Sequence, residues 1–147
     1  MCIRDRFKGS ESPDNPDALY EPLDQLGNQK TWAETVRNKR AQYYMILRDR
    51  VYRTYRAVEY GVYSDPDTLI SFSSKIESLS KLRAELCRMP IKPNGNGKFE
   101  LYTKDIMKSK FNLSSPNLSD AVMMNMRLVI NRNIDIKKPR PIRTMGR

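Results

Sequence analysis

The longest uninterrupted amphipathic stretch lies between Trp32 and Tyr60, where the sequence contains neither glycine nor proline. Its apolar residues recur mostly at spacings of three or four, as on the buried face of a helix: Ala41, Tyr44, Met45, Val51, Tyr52, Tyr55 and Val58. Thr31 is the N-cap if the helix starts early, and Asn38 is the N-cap if it starts late. Gly61 ends it in the left-handed conformation. This stretch is predicted to be the longest helix of the chain.

A second amphipathic segment follows the turn at Ser64–Asp67, where Pro66 suits the first position of a helix. Its apolar residues are Leu69, Ile70, Phe72, Ile76, Leu79, Leu82 and Leu86. Serines weaken this pattern, because their hydroxyl groups compete for backbone hydrogen bonds. One long helix fits the sequence, and so does a short extended piece at 68–72 followed by a helix from about 74 to 88.

Glu85 lies on the apolar face of this second segment. A salt bridge with Arg83 or Arg88 is the favoured interpretation of this residue, and a catalytic role is the alternative.

A hairpin is predicted after this segment. Polar and apolar residues alternate along Lys98–Tyr102, as they do in a half-buried strand. The turn at Asn94–Gly97 can bring that strand back against Met89–Lys92, with Pro90 at the edge of the pair. The glycines of the turn lack the spacing of a phosphate-binding loop.

Two more helices are predicted beyond the hairpin. The first is short and spans 104–111. Pro116 fits the first turn of the second, with Ser114 or Ser115 as its cap, and that helix ends near Arg127–Ile130. Asp120 falls about one turn into it.

The remaining segments are predicted to be irregular. Gly9–Gly27 has the proline, Asp and Asn content of a long surface loop. Asn131–Arg147 has no apolar period and is predicted to be disordered, either as a DNA-binding basic tail or only as a solubilising end. Met1–Arg6 lacks the apolar core of a signal peptide and is interpreted as a non-native prefix, left by sequence assembly.

The composition limits the kinds of binding partner and the kinds of catalytic chemistry that the chain can have. Lys and Arg total 27 against 17 for Asp and Glu, giving a net charge of +10 that favours nucleic acid over an anionic membrane surface. No stretch approaches the roughly 20 apolar residues of a membrane-spanning helix. Cys2 and Cys87 suggest neither a disulfide framework nor a zinc site. Because histidine is absent, hydrolysis would rely on carboxylates and hard cations such as Mg²⁺ or Mn²⁺.

A basic stripe follows the long helix, with seven cationic residues against Asp49 and Glu59. Such a stripe can follow the phosphates of DNA. It can equally be a solvated face, since basic helices are common and no aromatic side chain is clearly exposed for stacking on bases. The candidate DNA-binding residues are Arg37, Lys39, Arg40, Arg48 and Arg53 from the stripe, and Lys104 from the later short helix.

Asp120 is the main candidate for a catalytic or metal-binding residue, because it is an acid among apolar neighbours. Apolar residues surround it at helical spacing: Leu118, Ala121, Val122, Met124 and Leu128. A carboxylate in such surroundings needs a cation, a hydrogen-bond donor or a metal ion as its partner. One carboxylate makes no metal site by itself, so the residues alone favour a structural role in the positive field of a helix N-terminus.

The order of several motifs favours the metal-binding role of Asp120 over the structural one. The run Ser115–Val122, preceded by Leu101–Lys108, resembles the end of the nuclease domain in large terminase subunits of tailed bacteriophages. In that family a strand leads to a Ser/Thr-Lys pair, a short acidic-basic helix and a Ser-Pro-Asn/Asp-x-x-Asp-Ala motif. Shorter pieces agree in the same order, from about Phe7 to Met126: Phe7–Gly9, Asn38–Ala41, Leu82–Leu86 and Gly95–Lys98.

This resemblance implies an α/β, ribonuclease H-like nuclease domain. The chain would form an incomplete, mostly helical part of that domain over 7–130, with a short strand or hairpin. Asp120 matches a carboxylate that holds two catalytic Mg²⁺ or Mn²⁺ ions in the family, whose other ligands and ATPase domain lie upstream. Lys104 matches the motif lysine and is expected to contact phosphate, although pairing with Asp105 or a helix end is the favoured alternative.

The implied activity is that of a two-metal endonuclease that cuts concatemeric DNA for packaging. The implied partners are double-stranded phage DNA, the terminase small subunit and the portal protein. The protein would work in the host cytoplasm, transiently at the procapsid portal, without secretion or a membrane. The alternatives are a non-catalytic basic DNA-binding helical module and a structural protein that binds RNA.

Overall fold

The computed structural model describes residues 7–20 and 28–127. Five α-helices occur in this part, together with a 3-10 helix at Pro66–Thr68: α1 (Trp32–Thr35), α2 (Lys39–Tyr60), α3 (Leu79–Cys87), α4 (Lys104–Phe111) and α5 (Asn117–Met124). Extended backbone pairs only through single-residue bridges within these residues. The mostly helical character predicted from the sequence is therefore confirmed. The predicted prefix Met1–Arg6 and the tail Asn131–Arg147 lie outside the described residues.

Both candidate N-caps are used, because the first predicted helix is two helices. Thr31 caps α1 in a reciprocal box with Glu34, in which each side chain accepts a hydrogen bond from the backbone amide of the other residue. The Asn38 side chain caps α2 and accepts a 2.9 Å hydrogen bond from the amide of Ala41. Gly61 ends α2 in the left-handed region at φ 61°, as predicted.

The break between α1 and α2 is caused by pairing with a distant segment. Val36 is extended and forms a parallel bridge with Phe99. The amide of Arg37 donates to the carbonyl of Phe99, whose own amide donates to the carbonyl of Thr35. Val36 is only 1% exposed, so this pairing also seals the core.

The segment between α2 and α3 is mostly non-helical, and α3 begins at Leu79, later than the sequence predicted. Two side chains of α2 bind the backbone of this segment. Arg50 donates to the carbonyls of Asp67 and Leu69, and the Thr54 hydroxyl exchanges hydrogen bonds with the backbone of Ile70. These contacts replace the hydrogen bonds that a continuous helix would make.

The predicted hairpin is present as a minimal pair. Ile91 forms an antiparallel bridge with Leu101, and the amide of Lys92 donates to the carbonyl of Glu100 at 2.8 Å. Phe99 bridges to the other side, so the predicted strand at 98–102 lies between two partners without becoming a continuous strand.

The core is built around the first turns of α2. Tyr43, Tyr44 and Leu47 pack with Leu101 from the hairpin, with Met123 of α5 and with Met126 just after that helix. A second cluster joins Val36, Ala41 and Met45, also through α2.

The last three turns of α2 project from this core. Tyr52 is 58% exposed and Tyr55 49%, and Tyr60 and Tyr63 beyond them are more exposed still. The expectation that no aromatic side chain is clearly exposed was therefore wrong. The helical period is the same in both halves of α2, but the core covers only the first half, and the segment at 67–70 covers part of the second.

The predicted loop after Phe7 is irregular over its described residues 9–20 and is attached to α2. The backbone of Asp14 and the side-chain amide of Gln42 exchange two hydrogen bonds of 2.8 Å. Gly9 is in close contact with Arg40, since a Cβ atom on this glycine would lie 3.0 Å from the Arg40 Cβ. Phe7 makes no strand pairing among the described residues and instead packs its ring against Tyr43, with centroids 5.3 Å apart.

Within residues 7–20 and 28–127, no helix combines the length and the apolar character that crossing a membrane requires.

Candidate functional site

Asp120 lies on the buried face of α5. Its amide donates to the carbonyl of Pro116 at 2.8 Å, which places it one turn into the helix as predicted, and the residue is 7% exposed. The buried face is formed with Ser119 and Met123, whereas the neighbouring Ala121 is exposed. The sequence therefore predicted the burial of Asp120 but not all of its surroundings.

Three donors converge on the Asp120 carboxylate. The ammonium group of Lys104 lies 2.7 Å from Oδ2. The hydroxyl of Tyr44 donates to Oδ1 at 2.8 Å, and Nη2 of Arg40 lies 3.5 Å from the same oxygen. Because a buried carboxylate is stable only when it is paired, these donors explain how an acid is accommodated in this helix.

Arg40 is fixed by more than its ion pair. Its Nη1 donates to the carbonyl of Tyr102 at 3.0 Å, and its guanidinium group lies over the ring of Tyr44, 5.5 Å from the centroid. Its backbone amide donates to the carbonyl of Gly9. Arg40 thus joins the first loop, the hairpin and α5 at one point, and its charge faces Asp120.

Tyr44 is a neutral donor to Asp120. Burial raises the pKa of its phenol well above the ordinary value, and the hydrogen bond to Asp120 acts in the same direction. The hydroxyl therefore keeps its proton at neutral pH and can donate it to Oδ1. It also lies 2.9 Å from Oγ of Ser119, the residue that precedes Asp120.

Lys104 is the first residue of α4, and its side chain is 50% exposed. The sequence favoured pairing with Asp105 or a helix end, but the structure pairs Lys104 with Asp120. Since its stem is long and half exposed, its ammonium group can also reach outward. The expected contact between Lys104 and phosphate stays a prediction.

The N-terminus of α5 is capped from another helix. The cap position is Pro116, which has no side-chain acceptor, and the predicted cap Ser115 instead donates to the Asn117 side chain at 2.7 Å. Oε2 of Glu85 accepts hydrogen bonds from the amides of Leu118 at 2.8 Å and Ser119 at 3.0 Å. The predicted capping by Ser114 or Ser115 was therefore wrong.

The predicted pairing of Glu85 with Arg83 or Arg88 was also wrong, since the carboxylate of Glu85 faces α5 instead. The signal that could have indicated this is the place of Glu85 on the apolar face of its helix. A charged residue on that face needs a partner in the neighbouring element.

Asp120 can serve as one ligand of a hard cation. Its oxygens suit Mg²⁺ or Mn²⁺, and Oδ2 already faces a positive charge. No group of three His, Cys, Asp or Glu side chains that could hold a metal ion occurs in the described part of the chain. The described residues therefore fit one ligand of a metal site, and that ligand is Asp120.

The candidate DNA-binding residues do not form one continuous basic surface. Arg40 and Lys104 meet at Asp120, whereas Lys39 pairs with Glu11 and Asp14, and the hydrogen bond to Asp14 raises the pKa of Lys39. The three remaining candidates are separate from both groups: Arg48 pairs with Asp49, Arg53 makes a contact within the protein, and Arg37 is exposed just before α2.

Comparison with solved structures gave matches to the nuclease domain of a viral terminase. The nuclease domain of the large terminase subunit gp2 of bacterial virus Sf6 is 50% identical to this chain, with a TM-score of 0.72. Two structures of a lysine-to-alanine variant are each 49% identical, one with manganese and a TM-score of 0.74, the other with calcium and a TM-score of 0.73. A scan of protein-family models and a search of curated proteins gave no match.

Each of these matches covers 82% of this chain and 51% of the Sf6 chain. The chain therefore spans about half the length of the solved domains that it matches. At this identity and TM-score, the resemblance to a large terminase nuclease domain that the sequence predicted is confirmed.

Proposed function

We propose that this chain, being similar to the nuclease domain of a phage large terminase subunit, supplies Asp120 to a metal-dependent endonuclease that cuts concatemeric phage DNA. The observation that carries the proposal is the buried Asp120 carboxylate, which is held between Lys104, Tyr44 and Arg40. These donors come from two other helices, α2 and α4, so the contacts of this carboxylate extend beyond its own helix.

The two oxygens of Asp120 have different tasks in this proposal. Tyr44 and Arg40 both contact Oδ1, so they fix the plane of the carboxylate. Oδ2 is then the oxygen that can face a cation once Lys104 has moved away. When bound, two Mg²⁺ or Mn²⁺ ions would activate a water molecule and stabilise the leaving 3′ oxygen.

Lys104 is proposed to alternate between Asp120 and the DNA. At 2.7 Å from Oδ2 it neutralises the carboxylate when no metal ion is bound. With a cation at Asp120, Lys104 would no longer be needed to neutralise the carboxylate, and its half-exposed ammonium group could contact a phosphate.

The wider assignment also belongs to this proposal. The fold would be an incomplete ribonuclease H-like domain, and the remaining metal ligands would come from the part that the Sf6 domains have in addition. Double-stranded phage DNA, the terminase small subunit and the portal protein are the proposed partners. The proposed place of action is the host cytoplasm, transiently at the procapsid portal.

Replacing Lys104 by alanine is expected to expose Asp120 to divalent cations. The half-exposed pair contributes about 1 kcal/mol after screening, so Mn²⁺ should bind Asp120 about fivefold more tightly in Lys104→Ala. The measurement is paramagnetic broadening of the backbone NMR signals around Asp120 during a titration of the 147-residue chain with Mn²⁺.

Two matched variants control this titration. Lys108→Ala removes an equal charge from an exposed position of the same helix and should leave Mn²⁺ binding unchanged. Lys104→Ala combined with Asp120→Asn should lose the broadening. Equal broadening with and without the Asp120 carboxylate would remove Asp120 as a ligand.

Binding of DNA is expected to be independent of sequence and sensitive to salt, and this also applies to the alternative function, a non-catalytic DNA-binding module. Arg37→Gln removes an exposed charge and should lower the slope of log affinity against log salt by about 0.9 if that charge meets one phosphate of duplex DNA. Lys39→Gln is the matched comparison and should leave the slope unchanged, because Lys39 is only 19% exposed and pairs with Glu11 and Asp14. Fluorescence anisotropy at several salt concentrations gives both slopes.

Absence of DNA binding at low salt would contradict both the proposed nuclease function and the alternative DNA-binding module.

A further inference from the structure

We infer that Glu85 is a positioning residue for Asp120, and that it acts by holding the first turn of α5 from the neighbouring helix α3. The inference rests on the proposed function of Asp120 as a metal ligand. Glu85 itself would touch neither the cation nor the DNA.

The first turn of α5 lacks a cap of its own. The first amides of a helix have no partner within the helix and need acceptors from elsewhere. Pro116 occupies the cap position and makes no side-chain cap hydrogen bond. One oxygen of Glu85 accepts from two successive amides, those of Leu118 and Ser119, and so replaces the missing cap.

These contacts fix the residue next to Asp120. Ser119 is fully buried, its amide is held by Glu85, and its hydroxyl lies 2.9 Å from the hydroxyl of Tyr44. Tyr44 in turn donates to Oδ1 of Asp120. Glu85 and Tyr44 therefore hold the same turn, one through the Ser119 amide and the other through the Ser119 and Asp120 side chains, and the direction of the Asp120 side chain depends on both.

The two oxygens of the Glu85 carboxylate have different surroundings, because only Oε2 accepts hydrogen bonds from α5. Its second oxygen, Oε1, is buried without a hydrogen-bond partner among the described residues. A glutamine can therefore place its carbonyl oxygen against the amides of Leu118 and Ser119 and its amino group where Oε1 lies. Glu85→Gln should keep the contact and lose only the charge.

Glu85 also lines a cavity of about 290 Å³ between α3 and the segment before α5, together with Lys81 and Arg88. In Glu85→Ala, water entering from this cavity can reach the two amides. The helix can then persist while its first turn loosens, so a local measurement is more informative than overall stability.

The first measurement is amide hydrogen exchange by NMR on the 147-residue chain. Loss of a cap should speed exchange at Leu118 and Ser119 in Glu85→Ala by about tenfold relative to the amide of Leu47 in the core. Glu85→Gln should stay within about threefold of the unchanged protein. Unchanged exchange at Leu118 and Ser119 in Glu85→Ala would overturn the inference, whatever the metal measurements show.

The second measurement is the Mn²⁺ titration described above, with Lys104→Ala as the parent so that Asp120 is open to the cation. Adding Glu85→Ala should weaken binding at Asp120 about tenfold, and adding Glu85→Gln should weaken it by about threefold or less. Glu77→Ala removes an equal charge from an exposed position just before α3 and should have no effect on binding.

The two measurements separate the possible failures. Faster exchange with unchanged Mn²⁺ affinity would make Glu85 a cap only, and would overturn its positioning role. Absence of Mn²⁺ binding at Asp120 in the Lys104→Ala parent would remove the proposed function and the positioning role with it. The exchange rates would still show whether Glu85 holds the turn.

Discussion

Replacing Asp120 by asparagine is expected to reduce DNA cleavage by orders of magnitude while DNA binding stays near normal. Asparagine keeps the size of the side chain and the hydrogen bond from Tyr44, but it removes the negative charge that attracts a divalent cation. The test requires a complete nuclease domain. A suitable protein is a chimera in which this chain replaces the matched half of the Sf6 gp2 nuclease domain. Plasmid nicking with Mn²⁺ or Mg²⁺ measures the rate.

The same variant should also be less stable, and its cleavage rate separates a functional role of Asp120 from a structural one. Loss of the charge weakens the contacts with Lys104 and Arg40 and should cost about 1–3 kcal/mol of unfolding free energy. Asp105→Asn changes an acid in the first turn of α4 and should affect neither cleavage nor stability appreciably. Full cleavage by the Asp120→Asn chimera would return Asp120 to a purely structural role.

The sequence could predict Asp120 as a residue of interest because its local pattern is sufficient. A helix start at Pro116 and apolar neighbours place a carboxylate in a first turn, where it must be buried and paired. The identity of its partners could not be predicted in the same way. Arg40 is 80 residues away in the chain, and its meeting with Asp120 depends on how α2 packs against α5.

Glu85 shows where local reasoning fails. The arginines at 83 and 88 suggest a salt bridge, and a pair three residues apart such as Glu85 and Arg88 is common on a helix surface. The free amides at the start of α5 need a hydrogen-bond acceptor more strongly than the arginines need an ion pair, because these amides are partly buried and Pro116 has no side-chain acceptor. The sequence alone could not predict this contact, because it depends on α3 lying beside α5.

The long helix shows the same limit for backbone structure. Its apolar period continues from α1 into α2, but the pairing of Val36 with Phe99 interrupts it. The period also continues into the last turns of α2, where Tyr52 and Tyr55 are exposed. Periodicity marks the face that can be buried, and only the tertiary structure determines which turns of that face are covered.

The 147-residue chain by itself is expected to leave DNA uncut with Mg²⁺ or Mn²⁺, in contrast to the chimera under the same conditions. Within the described residues, Asp120 belongs to no group of three His, Cys, Asp or Glu side chains that could hold a metal ion, and Lys104 already neutralises its charge. One carboxylate cannot hold the two cations that the proposed reaction uses. Nicking of supercoiled plasmid over a range of protein concentrations is the measurement. Robust nicking by the chain that survives Asp120→Ala would show that cleavage depends on other residues, and that the assignment of the site to Asp120 is wrong.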